Sequence, residues 1–258
     1  MAGRLHGKKA IVTGAAQGIG AVVARMMIGE GAQVLLTDRN EAGVLQVAEE
    51  INEETGSICA FAAKHDVTSD SDWADMIALA KDQLGGLSVL VNNAGILIAG
   101  SVEDLSIDDW HRGLTVNSDS VFLGVKHALP LMRENQPGSI VNISSISGLI
   151  AGHNLANYNA SKAAVWLLSK SIALHCARAG WDIRCNSVHP SFVRTPILDS
   201  IVGDREQDVV LSKLAKQVPL GRIGEPEDVG HAVIYLASDE SRFMTGAELK
   251  LDGGISAM

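Results

Sequence analysis

The sequence KAIVTGAAQGIG at residues 9–20 joins a short apolar run to a glycine-rich turn, and helix-forming residues follow as far as Gly29. A strand, a glycine-rich turn and a helix in that order present backbone amides and a helix N-terminus to a pyrophosphate. Three glycines alone are a weak signal, but here an acid, Asp38, stands eighteen residues after the last of them. The stretch therefore predicts the first βα unit of a dinucleotide-binding domain.

Asp38 follows the second predicted strand, residues 33–37, at the position where such a domain contacts a ribose. A carboxylate there can accept hydrogen bonds from both ribose hydroxyls, and its charge repels a 2′-phosphate. Arg39 argues the other way, because a guanidinium beside the ribose can bind a phosphate. The alternative for Arg39 is a solvated side chain or a stack on the adenine. We give Asp38 the greater weight and predict NAD as the cofactor, with NADP less favoured.

Apolar runs and helical patterns alternate along residues 1–258, with no repeat, linker or low-complexity tract. The predicted strands are 9–13, 33–37, 58–63, 88–92, 138–143, 182–188 and 247–251, and the predicted helices are 18–29, 41–54, 70–84, 106–133, 157–179 and 226–237. Such alternation implies right-handed crossovers and a parallel sheet covered on both faces. The sequence thus predicts an α/β fold: a single Rossmann-type, doubly wound domain of about seven parallel strands with helices on both faces.

The composition excludes several classes of protein. Hydrophobic residues make up 47% and charged residues 20%, which excludes a disordered chain. A net charge of −9 with dispersed lysines argues against binding to nucleic acid or to an anionic membrane. The three cysteines have no metal-like spacing and suggest reduced thiols, so we expect no metal site. With no signal peptide and no apolar run near the ~18 residues of a membrane span, we expect a cytoplasmic protein.

Tyr158 and Lys162 lie four residues apart in the sequence YNASKAA at residues 158–164. In a helix, this spacing places both side chains on one face. An ammonium about 5 Å from a phenol, at an effective dielectric near 20, favours the phenolate by roughly 3 kcal/mol and lowers the phenol pKa by about two. The pair therefore predicts a tyrosine able to transfer a proton near neutral pH. The alternative is a half-buried tyrosine whose lysine neighbour lies in solvent.

Ser145 precedes this pair by thirteen residues, in the sequence GSIVNISS at residues 138–145. The apolar residues of this stretch predict a short buried strand, with Ser145 at its C-terminal end. In open α/β sheets, ligands bind at the carboxyl ends of the strands. A hydroxyl there can donate to a substrate oxygen, and the alternative is a serine that satisfies a turn.

Taken together, these residues resemble the short-chain dehydrogenase/reductase family, and the resemblance runs from about residue 5 to residue 253. The matching motifs are the loop Thr13-Gly14-x-x-x-Gly18-x-Gly20, Asp66-Val67, Asn92-Asn93-Ala94-Gly95, Asn117, and the segment from Pro190 to Thr195. This sequence has Ser191 where the family usually has glycine. Because a residue with a Cβ disfavours a positive φ, the turn at this position must suit a serine. Within the family, residues 183–190 and 236–241 resemble the bacterial 3β/17β-hydroxysteroid dehydrogenases.

The resemblance implies roles for the matched residues. Asn117 anchors a proton-relay water, Lys162 also contacts the nicotinamide ribose, and the segment from Pro190 to Thr195 holds the carboxamide. The expected catalytic residues are Asn117, Ser145, Tyr158 and Lys162. The expected cofactor-binding residues are Gly14, Gln17, Gly18, Ile19, Gly20, Asp38, Asp66, Val67, Asn93, Ala94, Gly95, Tyr158, Lys162, Pro190, Val193 and Thr195. The resemblance also implies a homotetramer assembled on the predicted helices 106–133 and 157–179.

The activity implied is hydride transfer between NAD and a secondary alcohol or ketone, with Tyr158 as the general acid/base. The expected substrate-pocket residues are Ile96, Leu97, His153, Asn154, Leu155, Phe192, Leu198 and Val202. Because most are apolar and none is an obvious anion clamp, we expect a bulky, uncharged cyclic, aryl or hydroxysteroid-like alcohol. His153 can orient a polar group or stand at the rim without a chemical role. Residues 195–217 interrupt the alternation and predict a mobile substrate lid, the alternative being ordinary surface helices.

Two other functions stay open on the sequence. A 3-oxoacyl-carrier reductase typically uses NADPH and a basic docking face, and both Asp38 and the acidic composition argue against it. A non-catalytic dinucleotide-binding sensor is the other alternative, since fold alone does not fix function. The presence of the complete expected catalytic set argues against a sensor.

Overall fold

Over residues 3–198 and 206–258, the part of the chain that the computed structural model describes, seven parallel strands form one sheet. The strands are β1 Lys9–Thr13, β2 Gln33–Asp38, β3 Ala60–Lys64, β4 Val89–Asn92, β5 Gly138–Ile143, β6 Ile183–Pro190 and β7 Glu248–Leu251. Their order is β3-β2-β1-β4-β5-β6-β7, with every pairing in this described part parallel. Successive strands are therefore added on one side of β1 up to β3 and on the other side from β4 onwards. This reversal of strand order creates a crevice at the carboxyl ends of β1 and β4.

Helices follow the strands as expected for right-handed crossovers. They are α1 Gly18–Gly29, α2 Glu41–Thr55, α3 Asp70–Leu84, α4 Ile107–Leu114, α5 Ser120–Glu134, α6 Ala156–Arg178, α7 Gln207–Ala215 and α8 Pro226–Ala237. Among the helices of the described residues, none has both the length and the apolar character of a membrane span.

Alternate residues of each central strand face two different apolar cores. Ile11 and Leu35 belong to a core supplied by α3, α5 and α6, whereas their neighbours Val12 and Leu36 belong to one supplied by α1, α2 and α8. Successive side chains of a strand point to opposite faces. Burying both sets therefore requires helices on both faces, and the predicted doubly wound α/β fold is confirmed.

The predicted helix over residues 106–133 contains a feature that the sequence did not indicate. A π-helical turn, Thr115–Asp119, separates α4 from α5. The hydroxyls of Ser118 and Ser120 donate to backbone carbonyls four residues earlier, each at 2.7 Å. Side-chain bonds of this kind compete with the helix ladder and bend it. An apolar pattern with a period of 3.6 residues cannot reveal one widened turn.

The other boundaries differ little from those predicted. β6 continues to Pro190, two residues beyond its predicted end, and so brings His189 into the sheet. Within the predicted lid at 195–217, the structure has a 3₁₀ turn at Pro196–Leu198 and helix α7, while residues 199–205 lie outside the described part.

A matched pair of leucines tests the two-core packing. Leu90 of β4 is 0% exposed and Leu45 of α2 is 45% exposed. We expect Leu90→Ala to lower the free energy of unfolding by about 2–5 kcal/mol, because it opens a cavity in the closed core. Leu45→Ala should cost less than about 1 kcal/mol, since that side chain is already half in water. Urea denaturation of both variants measures the difference, and equal losses would contradict the assignment of Leu90 to the core.

Candidate active site

A cavity of about 850 Å³ opens at the carboxyl ends of β1, β4, β5 and β6. It extends from Asp38 and Asp66 at one end to Ser145 and Tyr158 at the other. Its position is the one that the strand order dictates, because the connections from β1 and β4 leave the sheet in opposite directions there.

The glycine-rich loop is fixed against the end of β4. The hydroxyl of Thr13 accepts hydrogen bonds from the backbone amides of Asn93 and Ala94, both at 3.0 Å. The Asn93 side-chain amide donates to the carbonyl oxygens of Thr13 at 2.9 Å and Gly14 at 3.1 Å. Gly14 has a φ of +65°, and a Cβ there would lie 2.8 Å from the Cα of Ala94. Only glycine permits both this backbone angle and this approach.

The Asp38 carboxylate is held by two backbone amides. One oxygen accepts from Ala16 at 3.1 Å and the other from Asn40 at 2.9 Å. Each oxygen keeps a lone pair for a further donor. Arg39 also lines the cavity, but its side chain is exposed. The fixed negative charge thus faces the cavity, and the guanidinium lies at its edge.

Asp66 lies at the same end of the cavity as Asp38. One of its oxygens accepts from the backbone amide of Thr68 at 2.9 Å and from the Thr68 hydroxyl at 2.7 Å. These hydrogen bonds from Thr68 lower the pKa of Asp66. Val67, the next residue, lines the cavity and accepts from the indole of Trp73 through its carbonyl at 2.9 Å. The hydrogen bond from Trp73 therefore anchors the Asp66-Val67 motif to α3.

Tyr158 and Lys162 lie on one face of α6, as their spacing predicts. The Lys162 Nζ atom lies 5.7 Å from the centroid of the Tyr158 ring and donates to the Ile143 carbonyl at 2.9 Å. The Lys162 side chain is buried and Tyr158 is half-buried. The phenol and the ammonium thus share one wall of the cavity, at the end of β5.

Asn117, in the π-helical turn, lies directly behind this wall. Its Oδ1 accepts from the Ile96 amide at 2.8 Å, and its Nδ2 donates to the Ile96 carbonyl at 2.9 Å and to the Ser161 hydroxyl at 3.0 Å. A Cβ on Gly95 would lie 3.2 Å from Asn117 Oδ1 and 3.4 Å from Lys162 Nζ. Asn117 therefore ties the chain after β4 to α6 without itself lining the cavity.

Ser145 caps the short 3₁₀ turn Ile146–Gly148 that follows β5. Its hydroxyl accepts from the Ser147 amide at 3.1 Å and lies 3.5 Å from the Pro190 carbonyl oxygen. This hydroxyl also lies close enough to the Tyr158 phenol to lower its pKa. The turn therefore presents the serine hydroxyl directly to the tyrosine.

The electrostatics of the pair differ from the sequence-based expectation. Burial raises the pKa of Tyr158, and the hydrogen bond from Ser145 only partly offsets this. Burial also lowers the pKa of Lys162 to about 8. The expected fall in the tyrosine pKa is thus not found in the protein by itself, because the loss of water around the phenolate dominates and Lys162 is not among the groups that lower the pKa. Spacing in a sequence reveals the partner but not the burial.

The remaining predicted cofactor residues are gathered at the cavity, with one exception. Gly14, Gln17, Gly18, Ile19, Asn93, Ala94, Gly95, Pro190, Val193 and Thr195 all line it. Gly20 does not, since it is buried beneath the loop in the first turn of α1. Ser191 also lines the cavity, and no described residue other than glycine has a positive φ, so the serine fits its turn.

The predicted substrate residues divide into three groups. Ile96, Leu97, Leu155, Phe192 and Leu198 line the cavity. His153 and Asn154 are not among the lining residues, and their side chains are exposed to solvent on the loop before α6. Val202 lies outside the described residues.

Several lining residues were not found from the sequence. The clearest are Ile255 and Met258, which follow β7 and reach the cavity. The Asp252 carboxylate folds this segment back by accepting from the amides of Gly254 at 2.9 Å and Ser256 at 2.8 Å. An acid followed by two glycines does signal a turn, but nothing in the sequence indicates where the turned segment goes.

The fold and the cavity define an α/β protein of the dinucleotide-binding type, and the comparisons with known proteins agree. A family model described as Enoyl-(Acyl carrier protein) reductase matches residues 14–256. The NADP-dependent (R)-specific alcohol dehydrogenase of Lentilactobacillus kefiri is 41% identical over 258 residues, covering 100% of both chains. The 3-beta-hydroxysteroid dehydrogenase of Comamonas testosteroni is 40% identical over 258 residues, covering 100% of this chain and 99% of the relative.

A third relative extends the same result. The 3-alpha-(or 20-beta)-hydroxysteroid dehydrogenase of Mycobacterium tuberculosis is 42% identical over 260 aligned residues, covering 100% of this chain and 92% of the relative. The chain therefore belongs to the short-chain dehydrogenase/reductase family, whose members are oxidoreductases that bind a nicotinamide dinucleotide. The resemblance seen in the motifs is confirmed.

The buried Lys162 predicts a pH dependence of stability. Its pKa is about 8 in the folded protein and 10.5 as a free side chain. Between these values the unfolded chain holds a proton that the folded chain has lost, so stability rises with pH. We expect the unfolding free energy of the wild type, relative to Lys162→Met, to rise by about 1.4 kcal/mol per pH unit in this window. Urea denaturation across the window measures it.

The same pH dependence of the unfolding free energy is measured for Tyr158→Phe. This variant removes the neighbouring phenol and so separates the titration of Tyr158 from that of Lys162. If the wild type and Lys162→Met show parallel pH dependences, the lysine is not desolvated as the structure indicates.

Proposed function

We propose that this chain is an NAD-dependent oxidoreductase that interconverts a bulky, uncharged secondary alcohol and its ketone. The observation that carries the proposal is the convergence of Ser145, Tyr158 and Lys162 at one end of a cavity whose other end holds the Asp38 carboxylate. An acid–base pair and a ribose acceptor at opposite ends of one cavity match what a bound dinucleotide requires.

The residues present fit such a cofactor. The Gly14 approach to Ala94 leaves no room for a side chain, and the N-terminus of α1 directly follows the loop, as a pyrophosphate site needs. Asp38 and Asp66 supply fixed acceptors at the adenosine end. Val193 and Thr195 line the other end, where the carboxamide is assigned. Gln17, Gly18, Ile19, Asn93, Gly95 and Pro190 complete the proposed cofactor set.

The bound dinucleotide supplies hydride acceptance or donation at the substrate carbon. Tyr158 holds the proton of the substrate oxygen and exchanges it, while the Ser145 hydroxyl donates to the same oxygen. Negative charge on that oxygen is therefore met by two hydroxyl groups already in place, which is the main electrostatic source of rate enhancement. Asn117 is the proposed anchor of a water through which Lys162 exchanges protons with solvent.

The raised pKa of Tyr158 shapes the pH dependence of this scheme. As a base in alcohol oxidation the phenol must lose its proton, and Ser145 favours this. The Lys162 ammonium, 5.7 Å from the ring centroid, is assigned the same effect once the cofactor is bound. The positive charge of an oxidised nicotinamide acts in the same direction. Alcohol oxidation should therefore gain rate as the pH rises, and ketone reduction should gain rate as it falls.

Tyr158→Phe tests the assignment directly. With NADH and a panel of cyclohexanone, acetophenone and a 3-ketosteroid, the wild type should reduce at least one ketone. Tyr158→Phe should lose about 10²-fold or more of kcat, because proton transfer to the oxygen is gone. Its Kd for NADH, from fluorescence titration, should stay near the wild-type value.

Tyr235→Phe is the matched control, since it makes the same change at the half-buried tyrosine of α8, away from the cavity. It should keep near wild-type turnover. Near wild-type turnover in Tyr158→Phe would end the assignment, and a wild type inactive with the whole panel but tightly binding NADH would favour a dinucleotide-binding sensor.

The preference for NAD is assigned to the anchored Asp38 carboxylate. Because two backbone amides hold it, it cannot rotate away from a 2′-phosphate. We expect Asp38→Ser to raise kcat/KM for NADPH relative to NADH by about tenfold or more, a change of about 1.4 kcal/mol. Adding Arg39→Ala should reverse the gain, because the guanidinium would bind the phosphate. An unchanged ratio in Asp38→Ser would place the discrimination elsewhere.

The substrate class rests on the apolar wall formed by Ile96, Leu155, Phe192 and Leu198. The names of two relatives, both hydroxysteroid dehydrogenases, support a cyclic or steroid-like alcohol. A carrier-linked 3-oxoacyl reductase is less well supported, because the net charge is −9 and Arg194, near the cavity, is paired with Glu225 at 3.2 Å.

A substrate lid and a homotetramer are also part of the proposal. The lid segment and its surroundings form a small apolar cluster of their own, apart from the two main cores: Phe192, Leu198, Val210, Leu211, Leu214, Ala215 and Ile223. Such a cluster lets the segment move as a unit over the cavity. For assembly, Phe122 of α5 and Leu167 and Leu174 of α6 are exposed apolar side chains on the two helices assigned to the interface.

A further inference from the structure

His189 is a fully buried histidine in β6 to which the proposed mechanism gives no task. It directly precedes Pro190 and lies between the Ser145 turn and β7. We propose that His189 is a positioning residue, which holds the backbone of Ser145 and thereby sets the Ser145 hydroxyl against Tyr158. The inference rests on the proposed function and adds a residue to it.

Both ring nitrogens of His189 have partners. Nδ1 lies 3.0 Å from the carbonyl oxygen of Ser145, and Nε2 lies 2.8 Å from the hydroxyl oxygen of Ser187. A carbonyl can only accept, so Nδ1 must carry the proton. In the neutral ring Nε2 is then an acceptor, and the Ser187 hydroxyl donates to it rather than to the more distant Ala247 carbonyl at 3.5 Å. The hydrogen-bond partners therefore select one neutral tautomer, and its single N–H is directed to Ser145.

The surroundings keep the ring neutral. Burial lowers the pKa of His189, the bond to the Ser145 carbonyl and the charge of Glu248 on β7 raise it, and Lys162 and Lys170 of α6 lower it. Burial dominates, so the pKa lies below its ordinary value. A pKa below 6.5 leaves the ring without a positive charge at neutral pH and above, with its one proton on Nδ1.

The carbonyl that His189 holds begins the catalytic turn. The Ser145 carbonyl also accepts from the Gly148 amide at 3.0 Å, and the Ser145 hydroxyl accepts from the Ser147 amide at 3.1 Å. The carbonyl and the hydroxyl belong to one residue and both accept hydrogen bonds within the turn, so a displacement of the backbone at Ser145 displaces its side chain as well. The hydrogen bond of that side chain lowers the pKa of Tyr158, so loss of the His189 contact should be felt at the phenol.

Three variants test the inference. His189→Leu removes the donor, while His189→Asn keeps an N–H near the position of Nδ1. Val188→Ala is the matched control, because Val188 is also fully buried in β6 and faces the opposite side of the sheet. The measurement is the pH profile of kcat/KM for oxidation of whichever of cyclohexanol, 1-phenylethanol and a 3-hydroxysteroid the wild type oxidises fastest, with Kd for NADH measured separately.

We expect the apparent pKa of the profile to rise by roughly 0.5–1 in His189→Leu, the size of one hydrogen bond, so that activity below it falls by about three- to tenfold. His189→Asn should restore most of the shift, and Val188→Ala should leave the profile in place. A residue that only stabilises the fold would not move the pKa. An unmoved profile in His189→Leu, or an equal shift in Val188→Ala, would overturn the inference.

Failure of the two proposals can be told apart. If the wild type oxidises none of the alcohols, the proposed function fails. If the wild type is active and its profile is unaffected by His189→Leu, only the role of His189 fails. If His189→Leu does not fold, His189→Asn is compared with Ser187→Ala, which removes the hydroxyl that donates to Nε2. A raised apparent pKa in Ser187→Ala, without one in His189→Asn, supports the role of His189. An apparent pKa unchanged in both variants opposes it.

Discussion

The hydrogen bonds between the ends of β1 and β4 are the interaction on which the site depends. At the point where the strand order reverses, Asn93 donates through its backbone amide to the Thr13 hydroxyl and through its side-chain amide to the Thr13 carbonyl, and Gly14 lets the two backbones approach closely. With these ends fixed, the glycine loop and the Asn93-Ala94-Gly95 segment form one floor. This floor lies between the Asp38 end of the cavity and the Tyr158 end.

At the end of the cavity that holds Tyr158 and Lys162, burial opposes the charged forms of both residues. Burial raises the pKa of Tyr158 and lowers that of Lys162, so the fold itself works against the charged forms of both. Ser145 and the Ile143 carbonyl offset part of that cost through hydrogen bonds. A site that keeps a cation out of water in this way gives up stability for chemistry, as functional sites commonly do.

The sequence predicted the parallel sheet and most of the residues that line the cavity, because these follow from local patterns. Strand, glycine turn and acid fix the first unit, and a four-residue spacing fixes Tyr158 beside Lys162. It did not predict the π-helical turn, the position of His153 outside the cavity, or the arrival of Met258 at it. Each of these depends on how distant segments pack. The direction of the Tyr158 pKa was missed for the same reason, since burial is a tertiary property.

The widened turn at Thr115–Asp119 has a consequence for how this protein can change over evolution. A turn of this kind carries about one residue more than a regular α-helix, and each helical residue rotates its successor by about 100°. Deleting a single residue there would restore an ordinary helix but would swing Asn117 away from Gly95 and Ser161. Insertions and deletions in homologues should therefore be found in surface connections and be absent from this helix, whatever substrate each homologue acts on.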